Sequence, residues 1–278
     1  MIRYTWRVVG EEEVLVSSFE RNEEEKTETE ILYKPGGVEE KTVKTFNDLG
    51  LQVAEHLFED EQLLEESVST YDGEGRPLEE SLLFDGEVYQ KTVYTYEASG
   101  KTKTVYVEEE ETEKEVHQDF ELGYSKEFYQ HGEKVQSLHC QKSPDQRIFD
   151  IEVKDVHGNV LEKERHEFDP KGKLLKESTF SPEGELIEEN LHIYRNELLI
   201  KIETRGANSE LAGETTFEYN RHGKETKLEG RNVNGDLIAF RFTDYDEKGR
   251  EIEQRSFSAA NAYSNTSEAH FLFSYEDE

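Results

Sequence analysis

Several residue types are scarce in this sequence of 278 residues, which has one cysteine, one methionine, one tryptophan and five prolines. Long apolar runs are also absent. Because Cys140 is alone, no intrachain disulfide can form, which excludes the stapled scaffold of small secreted domains. No window approaches the roughly 18 apolar residues of a transmembrane helix, and residues 1–10 hold no apolar segment of signal-peptide length. We therefore expect a cytoplasmic protein with no membrane partner.

Apolar residues are also scarce, at 33% of the chain against 35% charged. Ordinary globular domains have about 45–50% and about 25%, so a deep, many-layered core is not expected. Disordered chains are poor in aromatic residues, whereas this one has 14 Tyr and 15 Phe. The composition therefore favours a folded protein with a thin core.

The charge is strongly one-sided, with 33 Lys and Arg against 65 Asp and Glu, a net charge of −32. Such a field repels phosphate backbones and anionic membranes and attracts basic proteins. We expect a protein partner with a basic surface and no direct binding of nucleic acid. The simpler interpretation is that the acidity only keeps the protein soluble.

One short pattern, an aromatic residue followed four positions later by glycine, recurs along the chain. It occurs at Tyr33–Gly37, Phe46–Gly50, Tyr71–Gly75, Tyr96–Gly100, Phe168–Gly172, Phe180–Gly184, Tyr219–Gly223 and Tyr245–Gly249. Phe46, Phe58, Tyr71, Phe84 and Tyr96 follow one another at intervals of 12 or 13 residues. Two intervals make a unit of about 25 residues, the signature of a repeat protein.

Each interval fits a strand and a tight turn. Residues 86–96 are rich in the β-branched and aromatic residues that suit strands, and the glycines supply the left-handed turn conformation. The acid-rich run 59–66 could form a helix by propensity, but it lies between the same aromatic markers. We predict turns at Gly50, Gly75, Gly100, Gly172, Gly223 and Gly249, and aromatic rings that stack from one hairpin to the next.

The predicted fold is all-β: antiparallel hairpin repeats, about 25 residues per two-strand unit, forming a long twisted or coiled sheet. We expect a single β-repeat array over residues 1–278. Residues 1–32 are predicted to be N-terminal cap strands, 33–257 the hairpin repeats, and 258–278 a loop and a C-terminal capping strand, since repeat arrays need capped ends.

Three segments carry a family resemblance: residues 71–76 (YDGEGR), 168–173 (FDPKGK) and 245–250 (YDEKGR). They resemble the YD repeat of the Rhs and teneurin class. The resemblance implies hairpins wound into a spiral β-sheet, which in that class often forms a shell around a toxin domain. This chain is short for a closed shell and shows no toxin-like segment, so the resemblance supports the hairpins more than the shell.

No catalytic, metal or cofactor motif stands out, and we predict none of the three. Spacings such as His-Glu-x-x-His and Cys-x-x-Cys are absent. His139 and Cys140 are adjacent, but neighbours on a strand point to opposite faces, which favours a buried inert thiol. Among 65 acids, a suitably spaced carboxylate pair is expected by accident, so a hydrolase is our least favoured alternative.

The densest acidic run comprises Glu108, Glu109, Glu110, Glu111 and Glu113. Like charges facing one another across a sheet are destabilising, so we expect this run at a turn or an edge. These five residues are our candidate partner-binding residues. The alternative is that they only protect an edge against aggregation.

Together these features predict a non-enzymatic acidic binding or scaffold protein that presents an extended β-sheet surface to a protein partner. The alternative is a nucleic-acid mimic, whose carboxylates imitate phosphates and inhibit a basic DNA- or RNA-binding protein. The sequence does not predict the oligomeric state.

Overall fold

The computed structural model describes residues 1–259 and 267–276, and in these residues the chain forms strands and turns. The first eleven strands are β1 Ile2–Val9, β2 Glu12–Asn22, β3 Thr27–Tyr33, β4 Glu39–Phe46, β5 Gln52–Glu59, β6 Gln62–Tyr71, β7 Pro77–Phe84, β8 Glu87–Glu97, β9 Gly100–Val107, β10 Glu110–Phe120 and β11 Gly123–Gln130. The others are β12 Glu133–Lys142, β13 Ile148–Asp155, β14 Val160–Phe168, β15 Leu174–Phe180, β16 Leu186–Arg195, β17 Leu198–Gly206, β18 Leu211–Tyr219, β19 Glu225–Asn232, β20 Leu237–Tyr245, β21 Glu251–Ser258 and β22 Ser267–Glu276. The all-β prediction is confirmed, while most of the predicted loop after residue 258 lies outside the described residues. No helix in the described ranges is long and apolar enough to cross a membrane.

The chain divides into two compact units. The first contains residues 1–117 and 128–134 and the chain from Phe271 onward, and the second contains residues 118–127 and 135–270. In the first unit each strand from β1 to β9 pairs antiparallel with the next. The second unit repeats this arrangement from β12 to β21.

The first strand also pairs with the last. Within the first unit, β1 lies antiparallel to β22, with Ile2 opposite Glu276 and Arg7 opposite Phe271. Because β1 already pairs with β2, it has a neighbour on both sides and is not a free edge. This corrects the predicted long twisted or coiled sheet at one point: its first strand is paired on both sides.

Turns alternate between the two ends of the strands, as they must when each strand reverses the direction of the one before it. We call the turns that follow odd-numbered strands odd turns and those that follow even-numbered strands even turns. Gly50, Gly75, Gly172, Gly223 and Gly249 lie in even turns at φ of 73–83°, as predicted. Gly100 instead begins β9 and pairs with Glu97, so that turn consists of residues 98 and 99.

A β-bulge follows the turn in most of the hairpins. In β7, for example, Tyr71 faces Pro77 and Thr70 faces Glu79, which leaves Leu78 as the extra residue. Leu175 and Ile187 occupy the same place in their hairpins. All three side chains are exposed. A bulge increases the local twist, and here it also leaves an apolar side chain in solvent.

The core is thinner than the composition predicted. Among the described residues, only Val105 and Cys140 are buried apolar side chains. The protein exposes 18078 Å², whereas a compact monomer of this length exposes about 12,000 Å². Every position of β5 and of β17 is partly exposed, so neither face of these strands is fully buried, and interstrand hydrogen bonds, cross-strand side-chain pairs and turns carry much of the stability.

A pair of deletions tests the two-strand unit. Removing residues 71–95 joins Thr70 to Tyr96 and deletes two strands, so every later strand keeps its direction and β22 can still pair antiparallel with β1. Removing residues 72–83 deletes one strand and reverses all later ones, which the antiparallel pattern cannot absorb. We expect a soluble protein with a cooperative thermal transition from the first deletion only. Equal damage by both would show that the two-strand unit is not the structural repeat.

Candidate interaction surface

A carboxylate or amide side chain closes the five-residue turns. In the even turn after β6, Asp72 Oδ1 accepts hydrogen bonds from the backbone amides of Glu74 and Arg76, both at 2.9 Å. Asp72 Oδ2 accepts a bond from Arg76 Nε at 2.7 Å. The same position accepts amide bonds in other turns of both kinds, where it is occupied by Asn47, Asp155, Asp169, Asn220, Asn232 and Asp246.

These hydrogen bonds favour the ionised carboxylate. The amide of the residue four positions later is the main cause that lowers the pKa of Asp72, Asp169 and Asp246 below the ordinary value. The Asp of the Tyr-Asp pattern therefore closes the turn, and its negative charge is stabilised by hydrogen bonds from residues of the same turn.

Tyrosines at the even turns connect one two-strand unit to the next. The Tyr71 hydroxyl donates to the Gln52 carbonyl at 2.7 Å, about one unit upstream. Three more tyrosine hydroxyls bond in the same way over 19 or 20 residues: Tyr96 to Pro77, Tyr219 to Leu199 and Tyr245 to Glu225. The rings are thus held by backbone carbonyls of the preceding unit.

The basic residue that follows the turn glycine covers the tyrosine of the next unit. The Arg76 guanidinium lies 4.6 Å from the centre of the Tyr96 ring. Lys173 Nζ lies 5.0 Å from the Tyr194 ring and Lys224 Nζ 5.3 Å from the Tyr245 ring. Cation–π contacts of this kind link these even turns, and ring-on-ring contacts join other strand pairs, with the ring centres of Phe149 and Phe168 4.9 Å apart and those of Phe240 and Phe257 5.9 Å apart.

Three odd turns of the first unit carry acids instead. Those after β5, β7 and β9 have two residues each: Asp60 and Glu61, Asp85 and Gly86, Glu108 and Glu109. Glu108 has φ 50° and Glu109 φ 71°, the left-handed region in which hairpin turns prefer Asn-Gly. Two adjacent glutamates in this conformation are strained and repel each other.

The structure brings part of the predicted acidic run together. Glu108 and Glu109 form the odd turn after β9, and Glu110, the first residue of β10, is exposed beside them. Glu111 is half-buried and Glu113 exposed further along β10. The expectation that the run lies at a turn therefore holds for Glu108 and Glu109, while Glu111 and Glu113 lie on a strand.

Comparison of two turns with the same backbone shows how the charges differ. Glu197, in the even turn after β16, also has φ 71°. Its carboxylate pairs with Lys171 at 2.8 Å and with Lys173, and the two lysines, Lys171 first, lower its pKa to about 2. Glu109, in contrast, takes part in no ion pair within residues 1–259 and 267–276, and neither does Glu108.

An apolar groove lies next to this odd turn. It has a volume of about 490 Å³ and is lined by Val88, Tyr89, Lys91, Val93, Tyr106 and Glu109. Tyr89 is the bulge residue of β8, because Leu82 faces Gln90 and Leu83 faces Val88. Val88 is 52% exposed and Tyr89 43%. Sequence reasoning placed these residues on a strand but missed their exposure, which the two apolar residues directly after a turn could have indicated.

The other chemical candidates stay apart. Cys140 is fully buried and its thiol pKa is raised by burial, whereas the adjacent His139 stacks on Phe120 with ring centres 5.2 Å apart. No group of three or more His, Cys, Asp or Glu in the described part of the chain has metal-binding geometry.

Comparisons with known proteins give little. No family model matches the sequence, and no curated protein matches it. Among solved structures, a porin-like protein from Bacteroides uniformis shares 9% identity at a TM-score of 0.34, over 99% of this chain and 97% of that one. A TcdB2–TccC3 structure shares 13% identity at a TM-score of 0.31, and this chain spans only 19% of its length. Such likenesses carry no argument about this protein, and the YD resemblance stays a prediction.

Replacing Asp72 tests the turn-closing carboxylate. Asp72→Ala removes the acceptor for two amides and should lower the melting temperature at pH 7 more than Asp72→Asn, because Asn47 and Asn220 fill the same role.

The pKa of Asp72 is lower in the folded protein than in the unfolded chain. The charge of Asp72 therefore stabilises the fold above the unfolded-state pKa, about 4, and this stabilisation is lost as the pH falls through the folded-state pKa. The difference in melting temperature between wild type and Asp72→Asn should therefore shrink below pH 4. A difference that stays constant from pH 7 to pH 2 would contradict this assignment.

Relieving the strained glutamate turn should stabilise the protein. The double variant Glu108→Asn, Glu109→Gly replaces two left-handed glutamates by the preferred residues and removes their repulsion, for a gain of about 0.5–1 kcal/mol after the entropy cost of glycine. The midpoint of urea unfolding measures it. As a control, Glu197→Gly relieves the same backbone but breaks the pairs with Lys171 and Lys173, and it should gain less. A lower midpoint for the double variant would refute the strain.

Proposed function

We propose that this chain is a non-enzymatic acidic scaffold protein of the cytoplasm, which presents its β-sheet surface to a protein partner with a basic surface. The observation that carries the proposal is the difference between two turns with the same left-handed backbone. Glu197, after β16, is paired with Lys171 and Lys173, whereas Glu108 and Glu109, after β9, take part in no ion pair in the described residues.

Several acids of the even turns are paired with nearby cations. Pairs there join Lys26 to Asp48, Arg76 to Asp72 at 2.7 Å, Arg147 to Asp145 at 2.6 Å and Arg250 to Asp246 at 2.8 Å. An approaching basic protein would have to compete with these cations. The odd turns after β7 and β9 offer Asp85, Glu108 and Glu109, none of which is in an ion pair in the described structure.

Solubility alone does not call for the conformation of the glutamate turn. Acidic side chains at ordinary strand positions keep a protein soluble equally well, without left-handed φ values. Backbone strain concentrates at functional sites, where the surrounding structure maintains it. The same left-handed values recur at Asp60 and Glu61 and at Asn196 and Glu197, so the support for a binding role comes from the unpaired charges of the glutamate turn together with this conformation.

A nucleic-acid mimic is the second candidate, and the same unpaired carboxylates support it. Turns at one end of the sheet are two strand spacings apart, about 9–10 Å, so carboxylates at successive odd turns form a spaced row. A mimic would compete with duplex DNA for its partner, whereas a scaffold protein would not.

The experiment is capture of proteins from the source cell on the immobilised chain, at low and at high salt, with identification by mass spectrometry. The variant Glu108→Gln, Glu109→Gln is compared with Glu74→Gln, Glu197→Gln, which removes two charges from even turns. We expect basic proteins that are captured at low salt, released by salt, and reduced by the first variant more than by the second.

Equal capture by the two variants would contradict a binding role for the odd turn. Capture that resists high salt would contradict recognition by charge. Added duplex DNA decides between the two candidates, because it should displace the partner only if the chain acts as a mimic.

A further inference from the structure

We propose that the groove beside β8 and β9 binds an extended basic segment of the partner protein and takes one aromatic or large aliphatic side chain of that segment against Val88, Tyr89 and Tyr106. This inference rests on the proposed function and adds to it the place of contact and the chemistry of the segment.

The groove has the apolar surface for such a side chain. Phe84, Val88 and Tyr89 are 40%, 52% and 43% exposed, and the Phe84 and Tyr89 rings meet edge to face with centres 5.5 Å apart. Tyr106 lines the same groove from β9, opposite Lys91. A volume of about 490 Å³ is within the usual range of binding sites, about 300–1,000 Å³.

The charges around the groove select a cationic segment. Lys91 is the cation among its lining residues, and its Nζ is paired with Glu79 at 2.7 Å. Glu109 lines the groove, and the Glu108 amide donates to the Tyr89 carbonyl at 2.9 Å, which fixes the acidic turn against the apolar residues. Lysines or arginines that flank an apolar side chain would therefore meet unpaired carboxylates.

Other occupants fit less well. A second copy of this chain carries the same net charge of −32 and is repelled, and anionic lipid surfaces are repelled for the same reason. A peptide cannot add to the sheet as an extra strand here, because β8 pairs with β7 on one side and with β9 on the other. Recognition must therefore use side chains: an apolar anchor for the groove and cations for the turn.

The test uses two fluorescein-labelled peptides, Lys-Gly-Lys-Trp-Lys-Gly-Lys and the same peptide with Ser in place of Trp, titrated with the full chain and followed by anisotropy. We expect the Trp peptide to bind about tenfold more tightly than the Ser peptide. Val88→Ser, Tyr89→Ser should abolish this advantage and leave binding of the Ser peptide unchanged. Both changes are at exposed positions, and the melting temperature shows whether the variant is folded.

The charge variants separate the groove from the proposed function. Glu108→Gln, Glu109→Gln should weaken both peptides about threefold, and the control Glu74→Gln, Glu197→Gln should weaken them less. Equal affinity for the two peptides, or no binding of the Trp peptide, overturns the groove and leaves the salt-dependent capture experiment to judge the proposed function. Equal weakening by the two charge variants would instead contradict the role of Glu108 and Glu109 in binding the cationic segment. Sedimentation that shows self-association lost in Val88→Ser, Tyr89→Ser would assign the groove to a second copy.

Discussion

Lateral hydrogen bonding between adjacent strands is the constraint on which this protein depends. With only Val105 and Cys140 as buried apolar side chains in the described residues, there is no core that could hold a misplaced strand in position. Each strand must therefore be paired on both sides, and the pairing of β1 with β22 gives the first strand its second neighbour. The turns have to set the register accurately, because a slip of one residue would move a whole strand's side chains to the opposite face.

The turn chemistry follows from this requirement. A side-chain oxygen that accepts the amides of residues two and four positions later fixes the five-residue turns, and a glycine supplies the left-handed residue. The bulge after the turn then sends one apolar side chain into solvent, as at Leu78 and Tyr89. At several even turns, a tyrosine hydroxyl or a lysine or arginine side chain connects one two-strand unit to its neighbour. The two-residue turns after β9 and β16 share left-handed φ values, but Glu108 and Glu109 take part in no ion pair in the described residues, whereas Glu197 pairs with Lys171 and Lys173. The proposed binding surface rests on that difference.

Local features were predictable from the sequence, and distant pairings were not. Glycine spacing and alternating strand residues indicated the hairpins, and the run 59–66 forms parts of β5 and β6 despite its helical propensity, because pairing outweighs propensity. The pairing of Ile2 with Glu276 has no local signal, since the residue pattern of a strand does not show which distant strand it pairs with. The hydrogen bonds of the tyrosine hydroxyls were not predicted, because a tyrosine that recurs at a fixed spacing is compatible both with ring stacking and with a hydroxyl-to-carbonyl hydrogen bond. The groove was missed because the exposure of Tyr89 arises from a bulge, and the only sequence signal for that bulge is the pair of apolar residues directly after the turn.

The pairing of the first and last strands also bears on how such a chain could vary in evolution. Because β1 and β22 pair antiparallel, the gain or loss of a whole hairpin between them keeps their relative direction, whereas the gain or loss of a single strand would reverse it. Since Ile2 lies opposite Glu276, a peptide link between these two strands, in place of a turn opened elsewhere in the first unit, would keep the pairing of β1 with β22.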